Sequence, residues 1–125
     1  MVSNKLISQL KKDFSFVQDN PTITAVILYG SQATGDATSR SDIDICIVAP
    51  RKDVYETWQY IVTHIERDIE PFDIRVFEAM PLYMKWAVII TGVIIIVKDE
   101  PALMEYFFPF RKSWDDHEIQ VKYCI

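Results

Sequence analysis

The chain has 125 residues, half of them hydrophobic and a quarter charged, with a formal net charge of −5. Such a composition is typical of a globular protein that buries a core without disulfide or metal staples. It predicts a single domain over residues 1–125, with 101–125 as a helical, aromatic C-terminal extension. Because phosphate binding needs a positive field, the acidic balance argues against a nonspecific DNA or RNA coat, and we expect no stable nucleic-acid binding.

The cysteines and the apolar segments favour a reduced, cytoplasmic protein. Cys46 and Cys124 make neither a metal motif nor a secreted disulfide framework, and the N-terminus lacks an apolar signal core. The apolar segment 80–97 contains Lys85 and is interrupted at Gly92. Its second half is a run of β-branched residues, so it predicts a helix, a turn and a buried strand rather than a membrane span.

Hydrophobic periodicity predicts four long helices and four strands. In chain order they are a helix over 4–19, a strand over 22–30, a loop or short helix over 30–40, a strand over 42–48, a helix over 53–69, a strand over 72–77, a helix over about 80–90, a strand over 93–97 and a helix over about 101–114. This order favours the α/β (α+β) class, with a mixed sheet of about four strands flanked by helices. On the helix over 53–69, Trp58 is expected in the core and His64 on the surface.

Two aspartates stand on one face of the second strand. Asp42 and Asp44 are separated by a single residue, so their side chains leave the same side of the sheet, together with that of Cys46. Two ionised carboxylates this close repel each other unless a cation lies between them. Oxygen ligands suit Mg²⁺, and a pair of such ions is the usual arrangement for phosphoryl transfer. The strand therefore predicts a platform for one or two magnesium ions, whereas Cys46 is expected to be a small buried side chain.

A third carboxylate and a glycine turn complete the pattern. Asp73 opens the next predicted strand and interrupts an apolar run, so we expect it to face the same metals and to accept a proton from an attacking hydroxyl. Gly30 and Ser31 stand where the first strand ends. The glycine lets the backbone approach a ligand closely, and backbone amides together with the Ser31 hydroxyl could hold phosphates. A lone Asp-x-Asp is usually an exposed edge or turn. The prediction of a metal and phosphate site therefore depends on the glycine turn, the two aspartates and the third aspartate occurring together.

The combination, Gly30-Ser31, ten residues, then Asp42-x-Asp44, resembles the signature of the polymerase-β-like nucleotidyltransferase superfamily. The chain's short length and the later segment FDIRVF are similar to the minimal nucleotidyltransferases (MNT). The resemblance implies a nucleoside triphosphate substrate, ATP in most members, and two Mg²⁺ ions held by Asp42, Asp44 and Asp73. It further implies attack of an acceptor hydroxyl on the α-phosphate with release of pyrophosphate, and for many members pairing with a HEPN-domain toxin, to which some transfer AMP.

Two positions depart from the family pattern. Members often carry an arginine soon after Gly-Ser, where this chain has Gln32 and Thr34, so Arg40 is the remaining candidate for the phosphates. Arg75 replaces an aliphatic residue two positions after Asp73, and we expect a salt bridge with the acidic cluster rather than a phosphate contact.

The C-terminal region carries five aromatic residues in nine, from Tyr106 to Trp114. We expect part of this segment to form an interface with a HEPN-type partner or a second copy. The following segment WDDHE, with His117, is expected to be an exposed acidic turn rather than a metal cluster. Two other functions stay open at this point: transfer to a small molecule, as in aminoglycoside nucleotidyltransferases, and noncatalytic docking to a partner.

Overall fold

The computed structural model describes residues 2–35, 42–65 and 71–123, with side chains described as far as residue 113. The strands of these ranges are β1 (Ala25–Tyr29), β2 (Ile43–Val48), β3 (Phe72–Val76) and β4 (Val93–Val97). The α-helices are α1 (Asn4–Asp13), α2 (Ser31–Thr34), α3 (Val54–His64), α4 (Leu82–Thr91) and α5 (Glu100–Tyr123). Short 3₁₀ segments lie at Ser15–Asp19 and Phe77–Ala79.

The strands form one mixed sheet in the order β3-β2-β1-β4. The β2–β3 pair is parallel and the other two pairs are antiparallel. A parallel pair needs a crossover, and α3 lies on the connection between β2 and β3. All five residues of β1 are buried, which confirms the prediction that its two apolar faces make it an interior strand. The predicted fold class is confirmed.

The sheet separates two apolar cores. On one side, residues of β1 and β2 pack with α1 and α3 through Leu10, Phe14 and Ile61. On the other side, the alternate residues of the same strands pack with α4 and α5 through Val88 and Leu103, among others. Cys46 belongs to this second core, so Asp44, two residues earlier on β2, lies on the face that α4 and α5 cover.

Several predicted boundaries are wrong. The helix expected over 4–19 ends at Asp13 and continues as a 3₁₀ segment, which leaves both Phe14 and Val17 fully buried. The helix expected to reach 69 ends at His64, because the next residue, Ile65, is already extended. The last helix runs through to Tyr123, so the backbone of 115–118 is helical and the expected acidic turn is wrong. No Gly or Pro interrupts the chain between residues 110 and 123.

Helix α3 buries most of the stripe expected for it, but not Trp58. Trp58 is 40% exposed, whereas Thr57 is 2% exposed and Ile61 is fully buried, so the placement of Trp58 in the core is wrong. The Thr57 hydroxyl donates to the carbonyl of Asp53 at 2.9 Å, which satisfies it without water. Because a hydroxyl satisfied in this way can be buried, Thr57 occupies the position in the core that hydrophobicity alone assigned to Trp58. His64 is exposed, as predicted.

The C-terminal aromatics divide between core and surface. Phe107 is 4% exposed, and Tyr106, Phe107 and Phe110 surround Phe77 with ring centroids 4.9–5.8 Å apart. Phe108 is 66% exposed. The expected interface through this segment stays a prediction. Among the described residues, no helix is long and apolar enough to cross a membrane.

Candidate active site

Asp44 and Asp73 face each other across the parallel pair of strands. The register makes them direct Cα partners on β2 and β3. Burial, followed by the charges of Asp73 and Asp42 and a hydrogen bond with Asp73, raises the pKa of Asp44 above its ordinary value. The fold therefore concentrates negative charge at one end of the sheet, where the expected acidic cluster was placed.

The remaining members of the cluster are more exposed. Asp42 directly precedes β2 and is exposed, and its charge acts on Asp44. Arg75 lies two residues after Asp73, with its Nε 3.5 Å from Asp73 Oδ2. The predicted salt bridge of Arg75 is confirmed. Both side chains are 40–51% exposed, so the pair adds little to the stability of the fold. Its main effect is to offset part of the negative charge of the carboxylates.

Gly30 forms a tight contact with Asp44. Its φ of +76° lies in a region that L-residues rarely adopt, and a Cβ built there would lie 2.2 Å from Asp44 Oδ2. Ser31 begins α2 directly after this turn. The turn predicted from sequence therefore abuts the aspartate pair, and only glycine allows so close an approach.

Tyr29 is a neighbour that the sequence analysis missed. It is the Cα partner of Asp44 on β1 and is 7% exposed. Burial, followed by the charge of Asp44, raises the pKa of its phenol, so the hydroxyl is neutral at physiological pH. The sequence did offer a signal for this position: Tyr29 directly precedes Gly30, and it alternates with Ala25 and Ile27, so it lies on the same face of the strand as they do. Cys46 is fully buried and burial raises the pKa of its thiol, in keeping with the predicted inert role.

Arg40, the expected phosphate ligand, lies outside the described residues. The hydroxyl of Thr34 lies 3.5 Å from the Gly30 carbonyl oxygen, within its own short helix. In residues 2–35, 42–65 and 71–113, no three His, Cys, Asp or Glu side chains are already grouped closely enough to hold a metal ion.

The donors present nevertheless fit a hard divalent cation. Asp44 and Asp73 are carboxylates in mutual contact, and the charges of Asp73 and Asp42 oppose the ionisation of Asp44. A cation between them would reverse this repulsion, and oxygen-only ligands are what Mg²⁺ prefers. A complete ligand set would form from Asp42, Asp44 and Asp73 together with oxygens of a substrate.

Comparison with known proteins identifies the family of this chain. Residues 11–101 match the family model described as polymerase beta, nucleotidyltransferase. The chain is 37% identical to "Putative protein adenylyltransferase MJ1547" of Methanocaldococcus jannaschii over 100 residues, covering 80% of this chain and 76% of that protein.

Solved structures share the fold at low identity. The crystal structure of a toxin-antitoxin with AMP-PNP matches with a TM-score of 0.60 and 21% identity, covering 96% of this chain and 92% of that chain. The tri-AMPylated Shewanella oneidensis HEPN toxin in complex with MNT antitoxin matches with a TM-score of 0.55 and 22% identity, covering 91% and 90%.

The mixed sheet, the family model and the 37% identical relative together define an enzyme of the nucleotidyltransferase class. The chain belongs to the polymerase beta nucleotidyltransferase family.

Proposed function

We propose that this protein is a cytoplasmic, Mg²⁺-dependent nucleotidyltransferase that transfers AMP from ATP to a hydroxyl of a partner protein. The observation that carries the proposal is the direct pairing of Asp44 with Asp73 beside Gly30. Two ionised carboxylates in contact at the end of a sheet repel each other, which destabilises the folded protein. Functional sites keep such pairs because a bound cation and a charged substrate remove the repulsion.

The residues divide the work as follows. Asp42, Asp44 and Asp73 would hold Mg²⁺, which supplies charge stabilisation to the phosphates when bound. The Gly30 backbone and the Ser31 hydroxyl would contact the triphosphate, with Arg40 as a further phosphate ligand. Asp73 would accept the proton of the acceptor hydroxyl while the oxygen of that hydroxyl bonds to the α-phosphorus. The bond from the α-phosphorus to the bridging oxygen breaks, and pyrophosphate leaves.

A protein acceptor is favoured by the relatives. The 37% identical archaeal relative bears the name of a protein adenylyltransferase. One structural neighbour contains an AMPylated HEPN toxin together with an MNT antitoxin. We therefore propose that this chain is the antitoxin of a HEPN/MNT pair and that the HEPN protein carries the acceptor hydroxyl.

The test is transfer of label from ATP. The purified protein is incubated with α-³²P-labelled ATP, Mg²⁺ and host lysate, beside the Asp42→Ala/Asp44→Ala variant. Asp19→Ala, which removes an exposed carboxylate outside the cluster, serves as the control. We expect a labelled protein band with the wild type and the control, and none with the double variant. Label on a small molecule would contradict the protein acceptor, and partner binding without label would indicate a noncatalytic docking module.

A further inference from the structure

Three polar side chains form one row across the sheet at its carboxylate end. Tyr29 on β1 is the Cα partner of Asp44 on β2, and Asp44 is in turn the partner of Asp73 on β3. Side chains of direct partners on neighbouring strands project from the same face of a sheet, with Cβ atoms about 5 Å apart. The phenol of Tyr29 therefore lies on the same face as the two carboxylates, directly beside Asp44.

The ring of Tyr29 and its hydroxyl lie in different surroundings. The residue belongs to the apolar cluster that α4 and α5 cover, and it is 7% exposed, so the ring is fixed by the core. The hydroxyl, in contrast, lies in the field of the charges of Asp44 and Asp73, both of which act on it. A rigidly held ring thus presents one polar atom to the end of the sheet where the carboxylates lie.

The hydroxyl of Tyr29 makes no hydrogen bond with the part of the chain that the structure describes. In that part, every polar side-chain atom that is completely enclosed has a partner. The Tyr29 oxygen is therefore not sealed in the core but opens onto the carboxylate end. A tyrosine this deeply buried normally gives its hydroxyl a partner, so the unused donor calls for an acceptor.

Asp44 needs a donor if it is to serve as a metal ligand. An ionised carboxylate only accepts hydrogen bonds, so Asp44 and Asp73 cannot orient each other when both hold a cation. Carboxylates that bind metal ions are themselves held by hydrogen bonds from neighbouring groups. Asp73 has such a neighbour, because the Nε of Arg75 lies 3.5 Å from its Oδ2. For Asp44, the side-chain donor in direct register is the Tyr29 hydroxyl.

The same core already contains one tyrosine that holds a carboxylate in this way. Tyr106 packs against the same apolar cluster, and its hydroxyl donates to Glu78 Oε2 at 2.7 Å. Glu78 also accepts from the Ala49 backbone amide at 3.0 Å, so its orientation is fixed. Tyr29 and Asp44 have the corresponding parts, a core phenol beside a carboxylate, without the hydrogen bond.

We propose that Tyr29 is a positioning residue, whose hydroxyl donates a hydrogen bond to Asp44 and fixes the orientation of that carboxylate when it binds Mg²⁺. This inference rests on the proposed function, because it assigns the side chain that orients a proposed metal ligand. Each paired carboxylate then has one donor of its own, Arg75 for Asp73 and Tyr29 for Asp44.

The chain offers a closely matched control. Tyr29→Phe and Tyr106→Phe each remove one hydroxyl beside a carboxylate and keep the ring in the same core, so both variants retain the packing. Mn²⁺ takes the place of Mg²⁺, and its binding to the full chain without nucleotide is measured by electron paramagnetic resonance. Binding of AMP-PNP in the presence of saturating Mn²⁺ and the melting temperature without metal are measured separately.

We expect Tyr29→Phe to bind Mn²⁺ about tenfold or more weakly than the wild type, as loss of a residue that orients a metal ligand does. Its melting temperature without metal should equal that of the wild type, because the hydroxyl has no partner in the described part of the chain. Tyr106→Phe should show the opposite result, with Mn²⁺ affinity like the wild type and a lower melting temperature, because Glu78 loses a donor.

Three results would overturn the inference. If Tyr29→Phe binds Mn²⁺ like the wild type, or if both variants lose affinity equally, Tyr29 does not orient Asp44, and the proposed transferase activity is untouched. If Mn²⁺ binding is normal but AMP-PNP binds more weakly to Tyr29→Phe, the hydroxyl contacts the nucleotide instead. A wild type that binds no Mn²⁺, with or without AMP-PNP, refutes the proposed function and with it the role of Tyr29.

Discussion

Two carboxylates lie near opposite ends of β2, and their surroundings differ. Glu78 accepts a hydrogen bond from the Ala49 backbone amide at 3.0 Å and another from the Tyr106 hydroxyl at 2.7 Å. Asp44, at the other end, faces Asp73 and the charge of Asp42. Glu78 has the donors that a structural carboxylate needs, whereas Asp44 is placed against like charge. This contrast is what the proposed function requires, with a cation and a substrate at the Asp44 end and a structural role at the Glu78 end.

The largest effect should come from replacing each carboxylate by its amide. Asp44→Asn is expected to reduce nucleotide transfer by more than about 100-fold. Residues that only orient metal ligands cost up to about 100-fold when they are replaced, and a proposed ligand itself should cost more. Glu78→Gln should leave transfer nearly unchanged, because the amide oxygen can still accept one of the two hydrogen bonds. Rates of AMP transfer to the acceptor protein measure both. Similar losses in the two variants would mean that the two ends do not differ in function.

Truncating the structural carboxylate should affect stability instead. Glu78→Ala leaves the Ala49 amide and the Tyr106 hydroxyl without their acceptor, at a cost of about 2 kcal/mol in the free energy of unfolding. Chemical denaturation checks this value. AMP-PNP binding by the folded fraction should not change. Weakened nucleotide binding in this variant would show that the Glu78 network extends to the carboxylate site.

A methyl group at the glycine turn should separate activity from stability. Gly30→Ala places a Cβ against Asp44 Oδ2 and forces alanine to a φ of +76°. We expect a stability loss of about 1 kcal/mol, because the flexible carboxylate can move aside. The displacement of Asp44 from its place beside Asp73 should reduce transfer by more than about tenfold. Gly92→Ala is not a usable control, because its Cβ would meet the Val88 carbonyl at 2.3 Å. Full transfer by Gly30→Ala would contradict the importance of the contact.

The smallest effect is a dependence of stability on pH without metal. The pKa of Asp44 is raised in the folded state, so between its ordinary value and the raised value the native protein binds more protons than the unfolded chain. Stability therefore falls as the pH rises through this window, and the loss is complete above it. Asp44→Asn should remove this dependence and raise the stability of the metal-free protein at neutral pH.

The measurement is thermal unfolding at several pH values, with and without Mg²⁺. Added Mg²⁺ should raise the melting temperature of the wild type and not that of Asp44→Asn. If Asp44→Asn is less stable than the wild type at neutral pH without metal, Asp44 stabilises the fold, which contradicts the proposed repulsion between the carboxylates.

The candidate site was largely predictable because its members are close in sequence or mark element ends. Gly30 and Ser31 end a strand, and Asp42 and Asp44 alternate on the next. Tyr29 was missed, because an aromatic residue at the end of an apolar strand is indistinguishable from core until the β1–β2 register makes it the partner of Asp44. Trp58 was misplaced because its exposure depends on which side of α3 meets the sheet, and Thr57 was satisfied locally by a backbone carbonyl.

The sequence by itself determined the element types, the mixed sheet and the family, since periodicity, glycine positions and short motif spacing are local properties of the chain. The tertiary structure alone decided that Asp44 is the direct partner of Asp73, that Phe107 and Phe110 pack against Phe77, and that Trp58 is exposed. These features depend on strand register and helix orientation, which contacts between distant residues set. A local pattern shows which side chains a segment presents, but not which neighbour each one meets.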